Sequence, residues 1–160
     1  MQYEVEKSNM SSITQIKNVM DMRLREMERT ALNISFNNNL KAYKVLNKGF
    51  DSLEAVRELS KYKSGNEFIY DIALFYNYKG NKRIHTTLTS VDIDIFLEYI
   101  YNYENIEKNE IINIIQVLEQ PTMYPVEEVL LNRHQNKRFA TYIYPLPVNA
   151  IKPYMMVMFF

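Results

Sequence analysis

Five side chains of this 160-residue chain have the chemistry expected of a small-molecule site: Tyr76, Arg83, His85, Tyr142 and Tyr144. Arg83 and His85 alternate along one extended segment and therefore share a face. If that face turned toward the helices that follow in the chain, the pair would bind an anionic or hydroxyl-rich ligand. If it turned toward solvent, both would be ordinary edge residues. Each tyrosine brings a flat apolar ring and one hydroxyl, which suits a ligand pocket and the interior of a sheet equally well.

Residue types and spacing argue against catalysis and against a cofactor or metal. The chain has no cysteine, and its two histidines, His85 and His134, lie on strands that we do not expect to be neighbours. The three glycines are too far apart in sequence to form a phosphate-binding loop. We therefore expect no enzymatic activity, no catalytic residues, no cofactor and no metal site.

Charge also limits the partners of the chain. The 19 basic and 19 acidic residues balance, so no overall field attracts nucleic acid or acidic lipid. The basic cluster from Arg133 to Arg138 is interpreted as a solvated turn, and we expect no nucleic-acid contact by this chain. Asp71 is the single charge in an apolar strand, so we expect it to be paired, to lie at a solvated edge, or to contact a ligand.

The elements that must position these residues begin with a long helix, predicted from Val5 to Ile34. Ile13, Met20, Met27 and Ile34 recur every seven residues, which predicts an amphipathic helix. Polar residues at the companion positions make a plain two-stranded coiled coil a poor fit. The helix is predicted to pack along its own sheet, to form a homodimer, or to do both.

Helical segments of lower regularity follow the long helix. We predict a second, short helix at about Leu40–Leu46, which precedes Gly49. A third helix is predicted to begin after an N-cap at Asp51 or Ser52. A capping box at Thr89–Asp92 predicts a further helix, and Ile111–Leu118 predicts the last one.

Five extended runs predict the sheet. The first two form a hairpin around Gly80, and Pro121 and Pro125 are predicted to bound a loop before the third. Pro145-Leu146-Pro147 is predicted to end the fourth, because proline lacks a ladder donor. The predicted strands are Phe68–Tyr76, Arg83–Leu88, Val126–Arg133, Phe139–Tyr144 and Tyr154–Phe160.

The order of elements predicts one α+β domain over residues 1–160. A long N-terminal helix (1–36) packs on a five-stranded antiparallel PAS/Cache-like sheet, with a helical insert between strands 2 and 3 (66–160). No apolar run approaches the roughly 20 residues that span a bilayer, and the N-terminus lacks a signal-peptide core, features typical of a cytosolic chain. The chain ends within an apolar strand, so we expect it to be a piece of a longer protein.

Three stretches together resemble one family: Met22–Ser35 with Asn37–Leu40, Asn66–Tyr76, and Tyr144-Pro-Leu-Pro147. The chain is similar, from about Lys17 to Phe160, to the extracytoplasmic Cache-like (PAS-like) sensor domain of membrane-anchored AraC-type transcriptional regulators of low-GC Gram-positive bacteria. The resemblance implies a domain outside the cell, attached through flanking membrane helices that this chain lacks. A cytoplasmic part of the parent would bind DNA.

The resemblance also implies a mechanism. A small molecule would bind between the sheet and the helical insert and favour one arrangement of the long helix. The resemblance implies a sugar derivative as the ligand, since regulators of this kind often accompany carbohydrate uptake systems. The signature of amino-acid-binding relatives is missing, so that ligand class is not carried over. Two alternatives remain open: the sensor domain of a histidine kinase or chemoreceptor, and a ligand-free interaction or dimerisation module.

Overall fold

The computed structural model describes residues 2–47 and 52–160, so the predicted positions Gly49 and Asp51 lie outside the described residues. Helix α1 extends from Gln2 to Phe36, slightly longer than predicted. Its last turns pack on the sheet through Met27, Ala31 and Ile34, which are buried. Residues 4–22 are exposed throughout, which corresponds to about 28 Å of helix at 1.5 Å per residue.

Short helices connect α1 to the sheet. Asn37 ends α1 and caps the 3₁₀ turn Asn38–Leu40, its side-chain oxygen accepting from the Asn39 amide at 2.8 Å. Helices α2 (Ala42–Val45) and α3 (Ser52–Lys63) follow. The predicted second helix is thus divided into a 3₁₀ turn and a single α-turn.

The sheet is curled, antiparallel and seven-stranded, so the predicted count of five is wrong. Its spatial order is β3-β2-β1-β7-β6-β5-β4. The two additional strands, β3 and β4, have three residues each and lie at the two outer edges, too short to show a period in sequence. The strands are β1 (Ile72–Tyr76), β2 (Arg83–Thr86), β3 (Ser90–Asp92), β4 (Tyr101–Tyr103), β5 (Thr122–Leu131), β6 (Gln135–Leu146) and β7 (Met155–Phe159).

Two hydrophobic clusters cover the two faces of this sheet. The helix face packs against α1 and α3, and Ile72, Leu74 and Val157 belong to it. The insert face packs against the helical insert, and Ala73, Met156 and Met158 belong to it. Every residue of β1 and β7 is buried, so both strands are covered on both faces.

The helical insert connects β2 to β5. It contains β3, α4 (Ile93–Ile95), a π-helical turn (Phe96–Ile100), β4 and α5 (Lys108–Val117). Asp92, rather than Thr89, caps α4, its carboxylate accepting from the Asp94 amide at 2.9 Å.

The prolines do not bound the strands as predicted. β5 begins at Thr122 and passes through Pro125, where its register with β6 shifts between Tyr124 and Glu127. A bulge tolerates a residue that cannot donate to the ladder. β6 continues through Pro145 to Leu146, with Pro145 opposite Met156.

Candidate functional site

All five predicted site residues lie on the helix face or at its edge. His85 is opposite Leu74 in the β1–β2 ladder, and Tyr142 is opposite Phe159 in the β6–β7 ladder. Directly paired residues point to the same face of a sheet, and Leu74 and Phe159 both belong to the helix-face cluster. Arg83 and His85 therefore do not face the insert.

Tyr76 connects the sheet to the segment that follows α1 through a hydrogen bond. Its side chain is fully buried, and its hydroxyl donates a hydrogen bond to the carbonyl oxygen of Leu40. Burial raises the pKa of the Tyr76 hydroxyl, so the group stays neutral and donates. Tyr76 is therefore part of the packed interior.

His85 is buried with one ring nitrogen unsatisfied. Its Nδ1 lies 2.9 Å from Ser90 Oγ, while Nε2 has no hydrogen-bond partner in the described structure. Burial, with a contribution from the Arg83 charge, lowers the pKa of His85 to about 4, so the ring is neutral at neutral pH. The Arg83 side chain is exposed and its Nη1 reaches Ser52 Oγ at 3.5 Å.

Tyr142 and Tyr144 lie beneath α1, with ring centroids 6.2 Å apart. The Tyr142 hydroxyl donates to Glu28 Oε1 of α1 at 3.1 Å. Burial, followed by the Glu28 charge, raises the pKa of both hydroxyls. The pair connects strand β6 to the long helix.

A groove of about 390 Å³ lies between α1, the segment before β1, the bulge of β5 and β6. We call it the lateral groove. Its wall is mainly apolar and aromatic, with one charged side chain. Residues that line it include Met20, Met27, Phe68, Tyr70, Met123, Val126, Arg138, Tyr142 and Phe159. Tyr142 is the only one of the five predicted residues among them.

Cations surround the lateral groove. The Lys137 and Lys63 ammonium groups lie 4.4 and 5.5 Å from the centroid of the Tyr70 ring. The Arg23 guanidinium lies 5.5 Å from the centroid of Phe68. Both aromatic rings line the groove, so its rim carries positive charge. Sequence analysis missed this site because its walls come from distant segments, although Met20 and Met27 had been assigned to the apolar stripe of α1.

The family resemblance places a ligand between the sheet and the helical insert, and the recess between the sheet and α5 is small. A recess of about 40 Å³ is lined by Tyr103, Ile111, Thr141 and neighbouring apolar residues. The hydroxyls of Tyr103 and Thr141 lie 3.1 Å apart, and burial raises the pKa of Tyr103 to about 12. This volume accommodates one or two water molecules.

Asp71 is also on the insert face, where its charge is satisfied without a cation. Its Oδ1 accepts from the Ile72 amide at 2.8 Å, the Thr87 amide at 3.1 Å and the Thr87 hydroxyl at 2.6 Å. Its Oδ2 accepts from the Tyr101 hydroxyl at 3.0 Å. Asp71 therefore joins β1, the β2–β3 turn and β4 and has a structural role, as one of its predicted alternatives proposed.

Within the basic cluster, Arg133 and His134 lie in the β5–β6 turn, as predicted, whereas Lys137 and Arg138 lie on strand β6. His134 and Arg138 are exposed, and the Arg133 guanidinium lies 3.8 Å from the centroid of the Tyr99 ring. In residues 2–47 and 52–160, no group of three acidic, histidine or cysteine side chains is arranged to hold a metal ion. None of the described helices combines the length and apolar character needed to cross a membrane.

Comparisons with known proteins found no match: no family model, no curated protein and no solved structure resembles the chain closely enough to report. Its function is therefore inferred from its own geometry.

Proposed function

We propose that the chain is the extracytoplasmic ligand-sensing domain of a membrane-anchored AraC-type transcriptional regulator. The observation that carries the proposal is the position of α1, which packs on the sheet through Met27, Ala31 and Ile34 and continues beyond it. A rigid helix held by the sheet at one end transmits a change in the sheet to whatever its other end contacts.

The order of the five central strands supports the same proposal. β2, β1, β7, β6 and β5 lie side by side, and the helical insert connects the outer two, β2 and β5. This is the arrangement expected of a PAS-like sheet, and a long helix across the other face is the arrangement expected of a Cache-like domain. This support for the proposal rests on analogy between folds.

In this proposal the ligand is a small molecule, with a sugar derivative as the initial hypothesis. The domain contacts no nucleic acid itself and approaches the membrane only through flanking helices of the parent. A histidine kinase or chemoreceptor parent would use the same domain with a different effector.

Two experiments test the proposal. A thermal-shift screen with sugars, amino acids, carboxylates and peptides should give a saturable hit, since a ligand at a hundredfold over its Kd stabilises by about 2.7 kcal/mol. Protease added to intact cells that express the parent gene should digest this domain if it lies outside the membrane. Resistance to protease in intact cells, with digestion after lysis, would contradict the proposed location.

The ligand-free interaction or dimerisation module is favoured by a separate observation. Three apolar side chains of α1 are each more than half exposed: Val5, Ile13 and Ile16. In addition, the recess on the insert face has a volume of only about 40 Å³. The accessible surface is 10023 Å². A compact chain of 19.1 kDa exposes about 8,400 Å². The excess of roughly 1,600 Å² in this chain is about twice the roughly 800 Å² that each partner buries in a standard interface.

Sedimentation equilibrium separates the two functions. A dimer that forms without ligand, combined with no stabilising hit in the screen, would favour the interaction module. A ligand that stabilises a monomer would favour the sensor. The two properties coexist if ligand changes the dimerisation constant.

A further inference from the structure

The size and lining of the lateral groove suit a small organic ligand. Its volume of about 390 Å³ falls within the range of roughly 300–1,000 Å³ common for ligand sites. Its apolar wall comes from α1, through Met20 and Met27, and from Phe68 and Val126 opposite. Methionine side chains are flexible and polarisable, so this wall can adapt to an aliphatic or aromatic body.

The positive charge at the rim of the groove favours a negatively charged group at the other end of such a ligand. Lys63 and Lys137 flank Tyr70, and neither has an acidic partner among the described residues. Arg138 lines the groove and is held only loosely, its Nε 3.9 Å from an oxygen of Glu128. Unpaired cations beside an apolar groove attract an anion whose body is apolar.

Of two acids near the groove, Glu26 is neutralised by an ion pair, whereas Glu28 accepts from a neutral hydroxyl and keeps its negative charge. Glu28 accepts the hydrogen bond of Tyr142 at 3.1 Å, and Glu26 forms an ion pair with Arg23 at 2.9 Å. Each is therefore engaged with a neighbour of the groove. Among the described residues, Lys63 and Lys137 are the cations near the groove without an acidic partner, and Arg138 is paired with Glu128 at 3.9 Å.

We propose that the lateral groove binds an amphipathic carboxylate, such as a medium-chain fatty acid or an aryl acid. Its apolar body lies against Met20, Met27 and Phe68, and its carboxylate lies near Lys137. The inference rests on the proposed sensor function and replaces the sugar derivative with an amphipathic carboxylate as its ligand class. It also places the ligand directly against α1, at the β5 bulge, where Tyr124 and Pro125 line both the groove and the small recess.

Methionine methyl groups provide a site-resolved test. In protein labelled with ¹³C at the methionine methyls, octanoate should give saturable shifts at Met20, Met27 and Met123, which line the groove. Met156 and Met158 belong to the insert-face cluster, and Met10 lies on the free part of α1, so all three should stay unchanged. Assignment by single methionine-to-leucine substitutions identifies each signal.

Charge variants test the carboxylate contact. The double variant K63Q/K137Q should weaken octanoate binding about five-fold, from two partly exposed ion pairs of about 0.5 kcal/mol each. K152Q, an exposed lysine outside the groove lining, is the matched control and should bind octanoate unchanged. Thermal melts confirm that each variant is folded.

The outcomes separate this inference from the proposed function. Absence of saturable shifts with octanoate and with phenylacetate would overturn the groove site, as would shifts that appear equally at Met10. Another ligand from the screen that shifts Met156 and Met158 would retain the sensor and overturn the groove. Octanoate binding in the groove, combined with protease resistance of the domain in intact cells, would retain the groove and overturn the extracytoplasmic sensor.

Discussion

Tyr142 of β6 donates a hydrogen bond to Glu28 of α1 at 3.1 Å, across 114 positions of sequence. Tyr142 also lines the lateral groove. The contact therefore connects the proposed ligand site, the sheet and the long helix through a single pair of side chains.

Removal of the Tyr142 hydroxyl should loosen α1. Tyr142→Phe keeps the ring but leaves Glu28 without its donor, and we expect a loss of about 1 kcal/mol in the free energy of unfolding. Urea denaturation followed by circular dichroism measures this change. Tyr144→Phe is the matched control, because the Tyr144 hydroxyl has no hydrogen bond in the described structure. Equal effects of the two substitutions would contradict the role given to the Tyr142–Glu28 pair.

Protonation of His85 should destabilise the fold in mild acid. The folded-state pKa of about 4 is below the unfolded value of about 6.5, so the unfolded chain binds more protons between these values. Stability is therefore complete above pH 6.5 and falls as pH decreases toward 4, by about 3 kcal/mol. Urea denaturation at pH 7 and at pH 4.5 measures the difference.

The control for this pH effect is His85→Phe, which removes the titrating ring and its unsatisfied Nε2. The loss of stability between pH 7 and pH 4.5 should become smaller in this variant than in the wild type. His134→Phe makes the same substitution at the other histidine, which is exposed, and controls for effects of the substitution itself. If His85→Phe shows the full wild-type dependence, other groups are responsible.

Substitution of Asp71 should lower the free energy of unfolding more than substitution of most other polar residues. Asp71→Ala leaves the Thr87 amide and the Tyr101 hydroxyl without their acceptor in a buried site, and we expect a loss of about 2–4 kcal/mol in unfolding free energy. Asp94→Ala, which removes an exposed carboxylate paired to Lys108 at 3.1 Å, should cost less than about 1 kcal/mol. A loss at Asp71 no larger than at Asp94 would show that the buried hydrogen bonds are not stabilising.

The exposed apolar stripe of α1, which includes Ile13 and Ile16, should control self-association of the chain. Ile13→Glu or Ile16→Glu places a charge on the stripe and is expected to weaken a homodimer by at least ten-fold, as measured by sedimentation equilibrium. Asn18→Glu adds the same charge on another side of the helix and should have little effect. Because Ile13 and Ile16 are each more than half exposed, neither change should alter the thermal stability of the monomer. A dimerisation constant unaffected by both stripe substitutions would exclude this surface.

Local periodicity determined much of the fold. The seven-residue repeat in α1 predicted a helix over Val5–Ile34, and the observed helix extends from Gln2 to Phe36. The hairpin around Gly80 and all five longer strands were also predicted, because alternation and turn residues are local signals. β3 and β4 were missed because a three-residue strand depends on its neighbour for its existence.

The tertiary structure alone decided which layer covers each face of the sheet. Alternation along β1 and β2 shows that Tyr76 shares a face with Leu74, but both faces of β1 are apolar and the sequence does not distinguish them. The packing of α1 and α3 places Tyr76, His85, Tyr142 and Tyr144 under the helices. The lateral groove has the same origin, since its walls come from α1, β5 and β6. The sequence determined which side chains share a face of a strand or helix, and long-range packing determined what each face contacts.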